Sequence, residues 1–428
     1  MPSARTSSLF AALRVANFRL YFAGQAVSLV GTWMQSIAIA WLVLELGGSG
    51  SVLGGVVAVQ FLPVLAFGAA AGLLVDRRDK RRLLLGTQAA FAGLALALGL
   101  IVEAGVARLW IVFIFAALFG CVNAVDSPAR QTFVTEMVGS DRIQNAVSLN
   151  SSLVSASRAI GPALAGALIA VVGVGVCFLA NAASFLAVLA ALAAMDVGAL
   201  HRSKPVPRAA GQLREGLRHV RSTPALLVPL LMMALIGTLA YEFQVVLPLL
   251  AQDTFAGGSE TFGLMTAASG VGAVFGGLWV ASRRATGLLP LTGSAVLFGV
   301  ALAGAALAPT LVATIVALAL VGVGGTAFLA TGNSSLQLAA EPRYRGRVMA
   351  LWSVTFLGST PIGGPIVGAV CEWLSPRAGL ALGAVACLLA AALGAVSLHR
   401  LPPDERIIEA PEPPTPAPPT VEVELPKL

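Results

Sequence analysis

Two ionisable residues stand inside long apolar runs of this sequence, Arg158 in the first half and Glu242 in the second. If such a run crosses a membrane, an arginine near its middle costs about 2.5–3.5 kcal/mol on insertion scales, so its side chain should face protein or water. The partner of Arg158 could be Asp126, Glu45 or an anionic small molecule. A structural ion pair and a contact with such a molecule are equal alternatives at this point.

Glu242 lies in the apolar stretch LAYEFQVVL. A carboxyl group in a low-dielectric cavity is driven towards its neutral form, so it can take up and release a proton as its surroundings change. We predict that Glu242 carries a proton or contacts a cation, with a buried structural acid as the alternative. Other polar or Trp positions that could line the same cavity, or bond helix to helix, are Gln25, Thr32, Trp33, Gln35, Asn150, Gln244, Asn333, Gln337 and Trp352.

The composition of the chain excludes a soluble fold. Of the 428 residues, 57% are hydrophobic and only 11% are charged, and the mean hydropathy is +0.88. Apolar runs of about 20 residues recur, which is long enough to cross a hydrocarbon core of roughly 30 Å. We therefore predict an all-helical integral membrane protein. Its twelve spans are predicted at 18–46, 51–75, 83–103, 107–130, 143–172, 174–196, 224–252, 260–282, 286–308, 310–338, 346–372 and 376–398.

The basic residues predict how these spans are oriented. Most of the 27 Lys and Arg residues fall in the loops that follow even-numbered spans or in the terminal segments. Positively charged loops stay cytoplasmic, so both termini should be inside. The scattered His and Cys residues form no metal-ligand pattern, and no phosphate-binding loop is found. We expect that the protein binds no metal, no cofactor and no nucleic acid. We expect it to be a monomer whose binding partners are membrane lipid and a small molecule.

The longest internal connection divides the chain into parts. We predict an amino-terminal six-helix bundle over residues 1–200, a cytoplasmic linker over 201–223, a carboxy-terminal six-helix bundle over 224–400 and a disordered tail over 401–428. In the linker, GQLREGLRHVRSTP alternates Leu and Arg at helical spacing, which favours an amphipathic helix on the membrane surface over a plain solvated linker. The tail is rich in Pro and acid and cannot bury a core.

The two predicted bundles resemble each other in sequence. A shift of 205 residues places Gly72 on Gly277 and Glu136 on Glu341. Such a repeat is typical of two bundles that face each other across a central cavity. The same shift places Asp126 on Thr331, and it gives Arg158 and Glu242 no charged counterpart. Because a substrate needs only one set of ligands, unrepeated charges favour a functional role.

Two Gly-Pro pairs stand inside predicted spans, where they could let the helices bend. Gly161 and Pro162 stand one turn after Arg158, and Gly364 and Pro365 stand in the eleventh predicted span. Proline removes a backbone donor and small residues permit close packing, so we predict that these positions bend their helices.

Several motifs resemble the major facilitator superfamily of secondary transporters over residues 10–400, and most closely its bacterial branch of macrolide-efflux and enterobactin-export proteins. The stretch GLLVDRRDKRR at 72–82 is similar to the superfamily's GxxxDRxGRRx loop. GTWMQSIAIAWLVLEL and NAVDSPARQTFVTEMV resemble the branch's first and fourth helices, and SRAIGPALAG resembles the antiporter motif of helix five. The quoted part of helix four, WIVFIFAALFGCVNAVD, lacks the basic residue that many proton-coupled exporters carry there.

The resemblance implies a gate and a mode of action. A latch at the inner gate would consist of Gly72, Asp76, Arg77, Lys80 and Arg81, with Asp126 as partner. The two bundles would rock about a central site in a bacterial plasma membrane. We expect an exporter of amphipathic small molecules, of drug, macrolide or siderophore type, that is driven by a proton gradient and is not an enzyme. The alternatives are an importer or lipid-moving facilitator on the same fold and, more remotely, a scaffold or receptor.

Overall fold

The computed structural model describes residues 10–201, 218–283, 285–341, 344–399 and 406–409. Within these ranges, twelve helical stretches are long and apolar enough to cross a membrane. The predicted all-helical membrane class and the number of spans are thereby confirmed. The ends differ from the prediction by a few residues, except that the fourth helix continues to Val138 instead of ending at 130.

Six spanning helices precede the linker, and six spans follow it. The first six helices are α1 (Ala16–Glu45), α2 (Gly50–Arg77), α3 (Lys80–Glu103), α4 (Leu109–Val138), α5 (Ile143–Val172) and α6 (Val174–Ala193). The later helices are α7 (Pro224–Leu239), α8 (Phe243–Leu249), α9 (Ser259–Ser282), α10 (Leu288–Leu307), α11 (Leu311–Ala339), α12 (Arg345–Leu357), α13 (Thr360–Trp373) and α14 (Pro376–Leu398).

Two spans of the second half are interrupted. Residues 240–242 separate α7 from α8, and residues 358–359 separate α12 from α13. Pro162 lies inside the continuous helix α5, and Pro365 lies inside α13 beyond the interruption. Within the described residues, neither of these two interruptions lies at a Gly-Pro pair. Bending at those pairs during a conformational change stays a prediction.

The connecting segments are only partly within the described residues. The predicted surface helix of the linker lies mostly outside them, and its described part is helical over 218–222. In the tail, strand β2 (Ile408–Glu409) pairs antiparallel with strand β1 (Ala285–Thr286) between α9 and α10. Backbone hydrogen bonding of this kind needs no buried core, and disorder of the tail as a whole stays a prediction. Apart from residues 406–409, the tail lies outside the described residues.

The two halves meet at the end of the bundle that lies opposite the termini. There, α2 crosses α13 and α5 crosses α9 with backbone against backbone. A Cβ atom built on Gly54 would collide with the carbonyl group of Gly364, and one built on Gly263 would meet the backbone of Pro162 and Gly166. Only glycine allows helices to approach this closely. The seal at this end therefore depends on glycine at the crossing points.

A hydrogen-bonded carboxylate joins the two halves at the same end. Oε2 of Glu372, at the end of α13, accepts a hydrogen bond of 2.7 Å from Oγ of Ser49 and one of 2.9 Å from the backbone N–H of Ser51. The carboxylate thus binds the amino-terminal end of α2, where unpaired N–H groups and the helix dipole favour an anion. We call this contact the Glu372 latch.

Towards the end that carries the termini, the described glycines of α2 make no further contact with the second half of the kind seen at Gly54. Cβ atoms built on Gly68 and Gly72 would have no heavy atom within 4 Å. On α9, the large side chains of Phe275 and Leu278 are exposed, in contrast to the glycines that contact α5 nearer the sealed end. The halves are therefore sealed at one end and separated at the other.

Replacing Gly54 by Ala should loosen the seal. The added methyl group meets the backbone of Gly364, and overpacking of this kind costs about 1–3 kcal/mol. We expect a larger population of molecules in which the sealed end is open. Spin labels at Glu45 and Leu374, which are exposed on opposite halves at that end, measure the separation once the exposed Cys121 is replaced by Ser.

Gly68→Ala is the matched control on the same helix, because its methyl group would enter open space. It should leave the distance distribution between the labels unchanged. Equal distributions for Gly54→Ala and the unsubstituted labelled protein would contradict the role of the glycine contact.

Candidate functional site

A cavity of about 330 Å³ lies between the two halves. Helices α1, α2 and α5 line one side, and α8, α9, α11 and the residues around both interruptions line the other. Its aromatic wall is formed by Trp33, Phe61, Tyr241, Phe243, Phe262 and Phe356. Polar groups are few, namely Gln244, Thr266, Ser269, Thr326 and Thr360, beside the ionisable Arg158 and Glu242. An apolar pocket with a few convergent polar groups is typical of a small-molecule site.

Arg158 reaches the cavity from α5. Its guanidinium carbon lies 5.5 Å from the centre of the Trp33 ring, a cation–π contact. In the part of the chain that the structure describes, Asp126 is paired elsewhere and Glu45 is exposed at the end of α1, so neither suggested acid neutralises Arg158. Of the alternatives left open by the sequence, the structural ion pair within the described residues is therefore not formed.

Glu242 lies at the interruption between α7 and α8. Its side chain is 4% exposed, and Oε1 has no hydrogen-bond partner among the described residues. A Cβ atom built on Gly363 would lie 2.8 Å from this oxygen, so the glycine of α13 leaves the space that the carboxyl group occupies. The acid therefore sits between two helices of the second half, beside the cavity and next to both helix breaks.

Tyr241 was missed by the sequence argument. Its hydroxyl group donates a hydrogen bond of 2.6 Å to the carbonyl oxygen of Gly325 on α11, and its ring lies edge-on to Phe356 at 5.4 Å. The residue thus fixes the broken segment against α11 and α12. A tyrosine beside the embedded acid was visible in the sequence, but nothing there indicated its partners.

The buried Asp126 and the partly buried Arg130 form an ion pair within α4. The other oxygen of Asp126 accepts hydrogen bonds from Thr87 at 2.7 Å and Gln88 at 2.8 Å, both on α3. Arg130 also donates to Oε1 of Gln25 on α1 at 3.2 Å. The stretch of helix four quoted in the sequence analysis ends at Asp126 and lacks a basic residue, but Arg130 lies one turn further along the same helix.

The described residues of the basic loop bind within the amino-terminal bundle. Nζ of Lys80 lies 2.5 Å from Oε1 of Glu136 at the end of α4, and both side chains are buried. Arg81 donates from Nε to the carbonyl oxygen of Leu192 at 2.7 Å, where α6 ends. Asp126, the predicted partner of this loop, is paired with Arg130 here, and its role in an inner latch stays a prediction.

Of the other predicted latch residues, Gly72 and Arg77 are within the described residues. Arg77 is exposed, and Gly72 has open space around it. The side chain of Asp76 lies outside the described residues, so its predicted role in a latch stays a prediction. An inner latch would in any case form only when the two halves meet at the end that carries the termini.

The other predicted polar residues divide between two roles. Gln244 and Trp33 line the cavity. Gln35 instead accepts a hydrogen bond of 2.7 Å from Asn181 on α6, and Asn333 accepts one of 2.5 Å from Gln337 within α11. Neither of these residues, nor Asn150 on α5, is among the lining residues. The sequence gives polarity and depth but not the direction in which a side chain points.

Breaking the buried pair should destabilise the amino-terminal bundle. Arg130→Met leaves the Asp126 carboxylate, which is 0% exposed, without its counter-charge. We expect a loss of about 3–5 kcal/mol in the free energy of unfolding, measured by denaturant titration of the purified protein in detergent micelles.

The matched variant is the double substitution Asp126→Asn with Arg130→Met. It removes both charges and keeps the hydrogen bonds that Thr87 and Gln88 donate to the side-chain oxygen. It should recover most of the lost stability, and a double variant as unstable as Arg130→Met would show that the charge pair is not the cause.

The amino-acid sequence of this chain is similar to those of known transport proteins. The family model described as "Transmembrane secretion effector" matches residues 7–427. The staphyloferrin A transporter of Staphylococcus aureus is 26% identical over 78% of this chain and 84% of its own length. Macrolide efflux protein A of Streptococcus pyogenes is 25% identical over 81% and 87%.

A solved structure shares the fold. The inward-facing, unoccupied bacterial homologue of the human lysosomal transporter Spinster superimposes with a TM-score of 0.71 over 90% of this chain and 97% of its own. At 14% identity this similarity concerns the fold alone.

Proposed function

We infer an export function for this chain, which belongs to the transmembrane secretion effector family of the major facilitator superfamily. It is a multi-pass membrane transporter, as its family and twelve spans indicate. The proposal is that it moves amphipathic small molecules out of the cell by alternating access, in exchange for protons.

The cavity between the two halves is the observation that carries this proposal. It is enclosed at one end by glycine contacts and the Glu372 latch, and it lies at the level where both interrupted spans break. Two bundles that meet at one end and part at the other have the geometry expected of a site that opens to each side in turn. The predominantly aromatic and aliphatic wall suits a ligand with an apolar body.

The relatives support the choice of cargo and direction. One is named for staphyloferrin A transport and another for macrolide efflux. Both names describe small molecules, and efflux is outward movement. The basic loops support cytoplasmic termini, and with that orientation the sealed end would face outwards and the cavity would load from inside.

Glu242 is proposed as the proton carrier. A buried carboxyl group without a partner is costly when charged, so it holds a proton until its surroundings become wet. Rearrangement of the two interrupted spans as the halves rock would change the contact with Gly363 and expose the carboxyl group to one aqueous phase at a time. Proton release and uptake would then alternate with the movement of the substrate.

Glu242→Gln should abolish uphill export and preserve exchange. Glutamine imitates the protonated acid and cannot release a proton, so the transporter can still shuttle substrate down its gradient. Cells that lack other exporters and express Glu242→Gln should accumulate a labelled test compound to the same level as uncoupler-treated cells that express the wild type. Counterflow of the same compound in proteoliposomes should stay near the wild-type rate.

Glu45→Gln is the control, because Glu45 is exposed at the end of α1. It should export like wild type and respond to the uncoupler. Full uphill export by Glu242→Gln would contradict the proton-carrier role. Uptake in place of export would favour the importer alternative, movement of labelled phospholipid would favour a lipid facilitator, and no movement of any compound would favour a scaffold.

Glu372→Gln should weaken the outward seal. The amide loses the charge that attracts the amino-terminal end of α2, so the outward-open population should rise in the spin-label measurement described for Gly54→Ala. Glu260→Gln is the matched control, since Glu260 stands at the same end and accepts a hydrogen bond from Gly258 within its own half. Identical distances in both variants would contradict a latch.

A further inference from the structure

The two ionisable groups of the cavity differ in their ability to lose charge. An arginine side chain in a protein stays protonated, whereas a glutamate becomes neutral by binding a proton. Arg158 and Glu242 line the same cavity and form no ion pair with each other. Among the described lining residues, the cavity therefore has one permanent positive charge and one removable negative charge.

The surroundings of Arg158 leave its hydrogen-bond donors available. Its guanidinium makes a cation–π contact with Trp33, which offers no acceptor oxygen, and the hydroxyl group of the nearby Tyr241 is already bonded to Gly325. Among the described residues, the acids within the first bundle's buried network are already paired, Asp126 with Arg130 and Glu136 with Lys80. Five N–H donors in a planar fork thus lie at the cavity, and no described carboxylate forms an ion pair with them.

The surroundings of Glu242 favour its neutral form while the cavity is in this state. The side chain is 4% exposed, it lies against Gly363, and the described residues offer no donor to Oε1. An isolated carboxylate in such a place is far costlier than a protonated carboxyl group. The net charge that a bound ligand meets in the cavity is therefore the positive charge of Arg158.

We propose that the transported molecule is a monoanion whose carboxylate binds the guanidinium of Arg158, and whose apolar body lies against the aromatic wall around Phe262 and Phe243. The inference rests on the proposed export function and names its substrate class. A planar carboxylate matches the guanidinium fork with two parallel hydrogen bonds.

The number of positive charges limits the ligand to one anionic group. A second carboxylate on the same molecule would enter the cavity without a counter-ion among the described lining residues, and its desolvation would disfavour binding. A cationic ligand would be repelled by Arg158 and would find Glu242 in its neutral form. The site should therefore reject amines and dianions of the same size.

Equilibrium binding to the purified, full-length transporter tests this inference. The probes are phenyl, naphthyl and pyrenyl carboxylates, each with its primary amide and the corresponding methylamine. Carboxylate and amide have nearly the same shape and differ in charge. For at least one ring size, we expect wild type to bind the carboxylate about tenfold or more tightly than the amide, and the amine more weakly than either.

Arg158→Gln should reduce the ratio of carboxylate to amide affinity to about one and leave the amide affinity unchanged. The amide thereby reports whether the cavity survives the substitution. Arg158→Lys should keep part of the preference, since it keeps the charge and loses the fork. Arg283→Gln is the matched control, because Arg283 makes a similar cation–π contact with Trp279 at 3.7 Å outside the cavity lining.

Three results would overturn the inference. They are a carboxylate preference that survives Arg158→Gln, equal binding of carboxylates and amides to wild type at every ring size, and tighter binding of the amines. The last would assign charge recognition to Glu242 instead. These outcomes are distinct from failure of the proposed export, because equilibrium binding requires neither a proton gradient nor a direction of transport.

Discussion

The energetic cost of a charge in hydrocarbon organises this molecule. A charged group at depth must be paired, hydrogen-bonded or in contact with water. The first bundle meets this requirement with Asp126 paired to Arg130 inside α4. Its neighbours on α1 and α3 complete the hydrogen bonding, so these charges stabilise the packing of the bundle. The charges that are not paired in this way, Arg158 and Glu242, lie beside the cavity.

The two halves of the molecule differ in mechanical character. Helices of the first half are continuous, and buried pairs such as Lys80 with Glu136 tie their ends together. In the second half, two spans break at the depth of the cavity, and Gly363 brings these breaks together around Glu242. A rigid half and an interrupted half suit a transporter in which local rearrangement near the site accompanies the movement of whole bundles.

The seal at one end combines close helix packing at glycine residues with a hydrogen-bonded contact that can break. Glycine at the crossings allows backbone contact, which buries little polar surface and can separate without unfolding a helix. The Glu372 latch adds an exposed, charge-assisted contact to the same end. Exposed contacts of this kind are weak enough to form and break repeatedly, whereas the buried pairs of the first bundle are not.

The amino-acid sequence by itself determined the membrane class, the twelve spans and the presence of embedded charges, because hydrocarbon selects for long apolar runs and penalises each ion within them. It also indicated Arg158 and Glu242 as exceptional. Only the tertiary structure decided that Asp126 pairs with Arg130, that Glu136 receives Lys80, and that Gln35 bonds to Asn181 and does not line the cavity. These outcomes depend on which faces of different helices meet, and that is fixed by packing across the whole bundle, beyond the reach of any local pattern.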